Sequence, residues 1–313
     1  RRLHARGERI TVGALPWVAP VYRAMPQVVQ VLEFPFAHGG LQWRARREWA
    51  KRLRGQFDKA YVCPNSLKSA LLPWWADIPT RIGYLGESRY GLLNQRLPNP
   101  PKGERPPMVA FYSALSGAAD AEIQTDKPTF NLPLAPVQSA LKAMNLVANA
   151  YYVFAPGAEY GSAKRWPAHH FADLAARLPL PVVLLGSGKE AALCQDIADA
   201  ANAAGGRCHN WAGKTTLDQA LAAIAAAKAM VSNDSGLMHV AAAFGVPQVA
   251  IFGSSSPLHT PPLSDKAHIL WLKLECAPCF QRECPLSGER HTQCLEKIQP
   301  AQVLRFIPLP PNS

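Results

Sequence analysis

Ala229-Met230-Val231-Ser232-Asn233-Asp234-Ser235-Gly236-Leu237-Met238-His239-Val240-Ala241-Ala242-Ala243-Phe244 carries one complete strand–turn–helix unit. Ala229–Ser232 is a short apolar run with the character of a buried strand. Asn233–Gly236 is a turn, and a short helix runs from it to Phe244. Strand Gln248–Phe252 follows and ends in Gly253-Ser254-Ser255-Ser256. Upstream the alternation repeats. Strand Tyr151–Ala155 leads through a Gly-rich loop to helix Ala168–Leu178, and strand Val182–Gly186 leads to helix Lys189–Ala204. Thr216 and Gln219 fit a capping box that opens another helix. Strands alternating with helices imply βαβ units and a doubly wound parallel sheet, whose ligands bind outside the carboxyl ends of the strands.

The first half reads the same way. Strands are expected at Ile10–Leu15, Val28–Phe34, Lys59–Cys63 and Arg81–Leu85, and helices at Ala19–Met25, Leu41–Arg54 and Ser66–Ala76. A helix over Pro136–Leu146 and a linker at Val147–Ala150 place the domain boundary between residues 146 and 147. With 313 residues and 48% hydrophobic content, two buried cores are expected. Arg1–Arg6 reads as the tail of a helix with Gly7 past its end. A doubly wound domain seldom opens on half a helix, so a first strand is expected to be missing ahead of Arg1.

The net charge of +11 favours anionic partners. No apolar run approaches the ~20 residues of a membrane-spanning helix, and no apolar stretch directly follows the basic start as in a signal peptide. The seven cysteines are therefore expected as reduced thiols in a cytosolic protein.

Three strand-end loops carry candidate chemistry. In Ala155-Pro156-Gly157-Ala158-Glu159-Tyr160-Gly161-Ser162-Ala163-Lys164-Arg165-Trp166-Pro167 the glycines let backbone N–H groups approach a ligand, and Lys164 and Arg165 suit a departing diphosphate; a solvated loop with incidental charge is the alternative. In Asp234–His239 the free N–H groups of a helix start attract phosphate, and Ser235 and His239 share a helix face; a capped helix with a satisfied histidine explains the same residues. In Gly186-Ser187-Gly188-Lys189-Glu190, Glu190 suits a ribose or, equally, the helix dipole.

The spacing of Gly157, Lys164-Arg165-Trp166-Pro167, Gly186-Ser187 and Asn233–His239 resembles the lipopolysaccharide heptosyltransferase family. Pro64-Asn65-Ser66-Leu67-Lys68-Ser69-Ala70, Arg81-Ile82-Gly83-Tyr84-Leu85-Gly86-Glu87-Ser88-Arg89-Tyr90-Gly91-Leu92-Leu93-Asn94 and Cys276-Ala277-Pro278-Cys279-Phe280-Gln281-Arg282-Glu283-Cys284-Pro285 extend the likeness over nearly the whole chain. The resemblance implies a GT-B fold, with two Rossmann-like domains facing a central cleft: an acceptor-binding domain over 1–146 and an ADP-heptose-binding domain over 147–313. It implies inverting transfer of heptose from ADP-heptose to the first heptose of the inner core, on an acceptor already linked to Kdo and lipid A. Tyr160, Lys164, Glu190, Thr215, Asp234, Ser235, Gly236 and His239 would bind the donor, with Lys164 stabilising the leaving group. Asn65, Ser66, Lys68, Arg81 and Arg89 would face the acceptor. The family's proposed base, an Asp after the first strand, would precede Arg1, so little activity is expected of this stretch alone. No D-x-D string lies near the donor loops, so no catalytic metal and no cofactor are expected.

Two features stand apart. Cys276, Cys279, Cys284 and Cys294 suit a structural zinc clip, or else a reduced loop whose cysteines pack as small hydrophobes. Helix Leu41–Arg54 carries Arg44, Arg46, Arg47, Lys51, Arg52 and Arg54 with Trp43 and Trp49, suiting peripheral contact with the inner face of the inner membrane or simply a solvated face. Competing readings are heptosyltransferase I, a nucleotide-sugar epimerase of similar fold, and a basic nucleic-acid-binding protein. No recognisable binding module supports the last, so no nucleic-acid partner is expected.

Overall fold

The computed structural model describes residues 1–37, 39–117 and 127–311. The chain forms two compact α/β units. One comprises Arg1–Tyr22 and Gln27–Asp126; the other comprises Arg23–Pro26 and Lys127–Ser313.

The second unit is built on six parallel strands: β6 (Tyr152–Ala155), β7 (Val182–Leu184), β8 (Cys208–Asn210), β9 (Ala229–Asn233), β10 (Gln248–Phe252) and β11 (Ala267–Trp271). Their order is β11-β10-β9-β6-β7-β8. Every neighbouring pair is parallel, so all carboxyl ends share one edge. From β6 the chain steps outward through β7 and β8, then returns to β9 on the other side of β6 and steps outward again. The direction of winding therefore reverses between β6 and β9, and this is the crevice where such sheets bind ligands.

The residues of β6 show why a doubly wound sheet forms. Tyr152 and Phe154 pack in a core with helices Ala168–Arg177 and Ala191–Ala203, while Val153 and Ala155 pack on the opposite face with helices Leu134–Ala143 and Leu217–Ala225. Both faces are dry, as a parallel strand covered by helices on both sides requires. Helix Leu134–Ala143 contributes Leu141 to the core that holds Leu221 and Ile224. That packing puts it in the second unit and moves the boundary from the expected 146/147 to 126/127.

The first unit contains β1 (Ile10–Ala14), β2 (Val28–Glu33), β3 (Lys59–Val62), β4 (Thr80–Tyr84) and β5 (Gln95–Leu97). All its strand pairs are parallel. The strands form two sheets, β1-β2 and β3-β4-β5, where the sequence led us to expect one. Side chains reach between them: Glu8, just ahead of β1, meets Lys59 Nζ at 3.3 Å and Tyr61 Oη at 3.4 Å. Among the described residues no helix is long and apolar enough to cross a membrane.

Helix Ala191–Ala203 ends in a Schellman motif. Gly205, at φ +87°, and Gly206 donate their N–H groups to the carbonyls of Asn202 and Ala201. A Cβ at Gly206 would lie 2.9 Å from both Ala176 Cα and Ala201 O, backbone atoms with no flexible relief. Gly206→Ala is expected to destabilise the protein by about 1–3 kcal/mol, read as a lowered urea midpoint.

Candidate functional site

The switch point fixes where the loop after β6 and the turn after β9 meet, and Asn233 locks them together. Its side chain is fully buried at the end of β9. Oδ1 accepts the Trp166 N–H at 2.9 Å, and Nδ2 donates to Pro156 O at 2.7 Å. One amide thus holds both ends of the Gly157–Arg165 loop. Trp166, itself buried, anchors the far side by donating its indole N–H to Ile298 O at 2.8 Å.

Within this frame Lys164 and Asp234 form an ion pair, Nζ to Oδ2 at 2.5 Å, with side chains only 18% and 7% exposed. Thr260 Oγ1 donates to the other carboxylate oxygen at 3.5 Å. Lys164 also lies 5.4 Å from the Tyr160 ring centre, and Arg282 covers the same ring at 5.2 Å. Tyr160 is half-exposed and donates its hydroxyl to Phe280 O at 3.0 Å. The His239 imidazole is held below its ordinary pKa, first by desolvation. The neighbouring Asp234 charge opposes that shift and the Lys164 charge reinforces it.

Ser235 precedes helix Gly236–Phe244, whose first residue is exposed. The Ser235 hydroxyl is buried without a hydrogen-bond partner, and so are those of Ser254 and Ser255 after β10. These last two were not singled out in the sequence. The signal was present in Gly253-Ser254-Ser255-Ser256, a small polar run at a strand's carboxyl end.

The loops after β7 and β8 complete the edge. Glu190 closes a capping box with Ser187, its Oε2 accepting the Ser187 N–H at 2.7 Å. The same carboxylate occupies the space that side chains at Gly157 and Gly186 would fill, so a side chain at either position would displace it from its place between the loops. Gly213 N–H donates to Gly186 O at 3.0 Å, bringing the loop that carries Thr215 alongside Glu190. The donor candidates Tyr160, Lys164, Glu190, Thr215, Asp234, Ser235, Gly236 and His239 therefore all belong to one sheet edge. Within it, direct geometry ties Lys164 to Asp234 and Tyr160.

The acceptor candidates in the first unit divide. Arg89 is buried, and its guanidinium donates to Pro64 O at 2.8 Å, to Asn65 Oδ1 at 3.3 Å and to Tyr84 O. Arg81 donates to Leu92 O and Ile78 O at 2.7 and 2.6 Å. Both guanidiniums, placed by motif as acceptor candidates, are thus engaged by the chain around β4: Arg81 by the residues before and after the strand, Arg89 by the end of β4 and the turn after β3. Ser66 Oγ turns to Ser69 Oγ at 3.1 Å, and the Leu67 N–H is instead capped by Glu87 at 2.7 Å. Lys68 stands in the first turn of helix Leu67–Trp75. On helix Trp43–Leu53, Arg46 is buried over the Phe36 ring and donates to Leu41 O, so it leaves the basic face. Arg44, Arg47 and Arg52 stay exposed; Arg47 lies over half-exposed Trp43 and approaches Trp75, and Arg52 lies over Trp49.

Comparison with known proteins gives consistent results. The model of glycosyltransferase family 9 (heptosyltransferase) matches residues 46–289. Lipopolysaccharide heptosyltransferase 2 of Escherichia coli (strain K12) is 43% identical, over 98% of this chain and 91% of that protein. Lipooligosaccharide heptosyltransferase 2 of Haemophilus influenzae is 42% identical, over 84% and 80%. The solved structure of E. coli ADP-heptose lps heptosyltransferase II superimposes with a TM-score of 0.79 at 38% identity, over 97% of this chain and 90% of that one. A family 9 glycosyl transferase from Veillonella parvula shares the fold, with a TM-score of 0.77 at 20% identity.

Replacing Asn233 by Ala would leave the Trp166 N–H and Pro156 O unpaired in the interior. Asn233→Ala is expected to lower stability by about 1–3 kcal/mol in urea denaturation, and Asn233→Asp at least as much, because its buried carboxylate would face the Pro156 carbonyl oxygen.

Proposed function

Since this chain belongs to glycosyltransferase family 9, the heptosyltransferases, and is a glycosyltransferase of the heptosyltransferase II type, we propose that it moves L-glycero-D-manno-heptose from ADP-heptose to the first heptose of the lipopolysaccharide inner core. The observation that carries the site reading is the buried Lys164–Asp234 pair at the switch point. Asp234 holds the ammonium of Lys164 in place, and its carboxylate accepts hydrogen bonds from sugar hydroxyls. Lys164 meets the diphosphate and offsets the charge that grows on departing ADP, a task in which a preoriented cation is most effective. Ser235 and the N–H groups opening helix Gly236–Phe244 add partial positive charge at the same place. Glu190 and Thr215, on adjoining loops, take the ribose and the adenine end. An acceptor hydroxyl attacks the anomeric carbon in line with departing ADP, and the configuration inverts.

In the first unit, Asn65, Ser66 and Lys68 face the acidic acceptor. Its lipid A anchor brings the enzyme to the inner face of the inner membrane. The exposed cations Arg44, Arg47 and Arg52, with Trp43, suit an anionic interface there.

Calorimetric titration tests the donor site. Lys164→Ala is expected to weaken both ADP and ADP-heptose by about 10–100-fold, the worth of a charge-assisted hydrogen bond. Asp234→Asn, which removes both the anchor of Lys164 and a sugar contact, is expected to weaken ADP-heptose more than ADP. Unchanged ADP affinity in folded Lys164→Ala would overturn the assignment. Because the His239 pKa is depressed in the free protein, an arriving diphosphate raises it. ADP binding should therefore take up a proton near or below pH ~6.5. Calorimetry in buffers of different ionisation enthalpy should show that uptake reduced in His239→Gln.

A further inference from the structure

Cys276, Cys279, Cys284 and Cys294 line a single cavity of about 250 Å³, together with Ser254 and Arg290. All four are free thiols and partly buried. They are spaced C-x2-C-x4-C-x9-C, on a segment whose only regular structure is the short turn Gly288–Arg290 and helix Gln293–Glu296. Half-exposed Phe280 does not fill the interior of this loop, and the four cysteines share the cavity wall with Ala163, Pro285, Leu286, Thr292 and Gln293.

Four neighbours bear on a thiolate centre. The Thr292 N–H donates to Cys284 Sγ at 3.3 Å, and Gln293 Nε2 approaches Cys276 Sγ at 3.9 Å; donors aimed at sulfur favour the thiolate. Arg290 brings positive charge to the wall of a cavity that four thiolates would make negative. Ser254 is 1% exposed, and its hydroxyl has no partner. The sulfurs surround the cavity without converging. Among the described residues, three ligating atoms come within 4.8 Å of one another only at His169, His170 and Glu296. There His170 Nε2 already shares a 3.0 Å hydrogen bond with Glu296 O, so that nitrogen is taken.

We propose that Cys276, Cys279, Cys284 and Cys294 bind a thiophilic divalent cation, zinc or ferrous iron, which gathers the four sulfurs and fastens this loop to the donor edge. Four soft ligands around one cavity select such ions, and the sulfurs would have to draw in to metal–sulfur bonds of about 2.3 Å. Binding releases the thiol protons to solvent and moves no electrons. The loop it would fasten is stitched to the donor residues: Arg282 O accepts the Ala163 N–H at 3.0 Å, the Phe280 N–H donates to Ser254 O at 2.7 Å, and Phe280 O accepts from Tyr160. The fastening role rests on the donor-site reading; the ion site itself does not.

The test uses the whole chain purified under reducing conditions. Elemental analysis should find close to one zinc or iron per chain and say which. After chelation, titration with Co²⁺ should give the sulfur-to-cobalt charge-transfer band and strong d–d bands of a tetrahedral thiolate site. Zn²⁺ should then displace the cobalt. The bands should vanish in Cys279→Ser/Cys284→Ser, persist in Cys63→Ser, which lies outside the cluster, and shift in Cys284→His, which retains a ligand if the serine variant does not fold. A reduced, folded chain without the charge-transfer band, or a band surviving in the double variant, overturns the site. Equal ADP affinity of the metal-free and loaded chains overturns only the fastening role.

Discussion

One side-chain amide governs the geometry of the second unit's functional edge. Strands β6 and β9 lie side by side because the sheet is wound outward in both directions from β6, and that arrangement leaves a crevice between the loops that follow them. The crevice would be shapeless without a tie across it. Asn233 supplies the tie through both halves of its amide, one accepting from Trp166 and the other donating to Pro156. A carboxylate in its place would lack the donor, and a hydrophobe would lack both. Lys164 lies two residues before Trp166, and Asp234 follows Asn233 directly. The lock therefore brings the cation and the carboxylate together as a consequence of backbone register.

That pair explains how the edge can be ready for a diphosphate before one arrives. A lysine ammonium in a largely enclosed place needs an anion, and Asp234 provides it at 2.5 Å. Removing one member of such a pair leaves the other uncompensated, which is why pairs of this kind change function and stability together. Unpartnered hydroxyls on Ser235, Ser254 and Ser255 lie at the ends of the neighbouring strands β9 and β10. Buried polar atoms normally find a partner in the protein, so this edge has hydrogen-bonding capacity that its own residues do not use.

Much of this was legible in the sequence because buried parallel strands read as uninterrupted apolar runs. Strand β10 was read at Gln248–Phe252, its observed bounds, and the Thr216–Gln219 capping box forms as read. Strands β5, β8 and β11 were not read. Gln95-Arg96-Leu97 and Cys208-His209-Asn210 are short and polar, and Ala267–Trp271 lies at the sheet's edge with much of its surface exposed. The first two owe their strand character to a neighbour's hydrogen bonds, and β11, though it carries Ile269 and Trp271, lacks the buried run that marks the central strands. The domain boundary was misread for a related reason. Helix Leu134–Ala143 follows the first unit closely in sequence, and only the burial of Leu141 beside Leu221 reveals which core it serves.

The arginines show where residue type stops predicting role. Arg46, Arg81 and Arg89 stood in the sequence as cations available to an anionic partner, yet each donates to backbone carbonyls of its own unit. No motif marks the difference, because a guanidinium's fork fits a carbonyl-lined turn as readily as a phosphate. Carbonyl partners do not neutralise charge, however, and an arginine side chain keeps its proton in proteins. Arg89 holds Pro64 and Asn65 directly, so its positive charge is fixed beside the turn that leads into Ser66 and Lys68. The Glu87 carboxylate that caps the Leu67 N–H also acts on Arg89, so the fold immobilises a cation and an anion around one turn, and the arginine serves to hold that turn in shape.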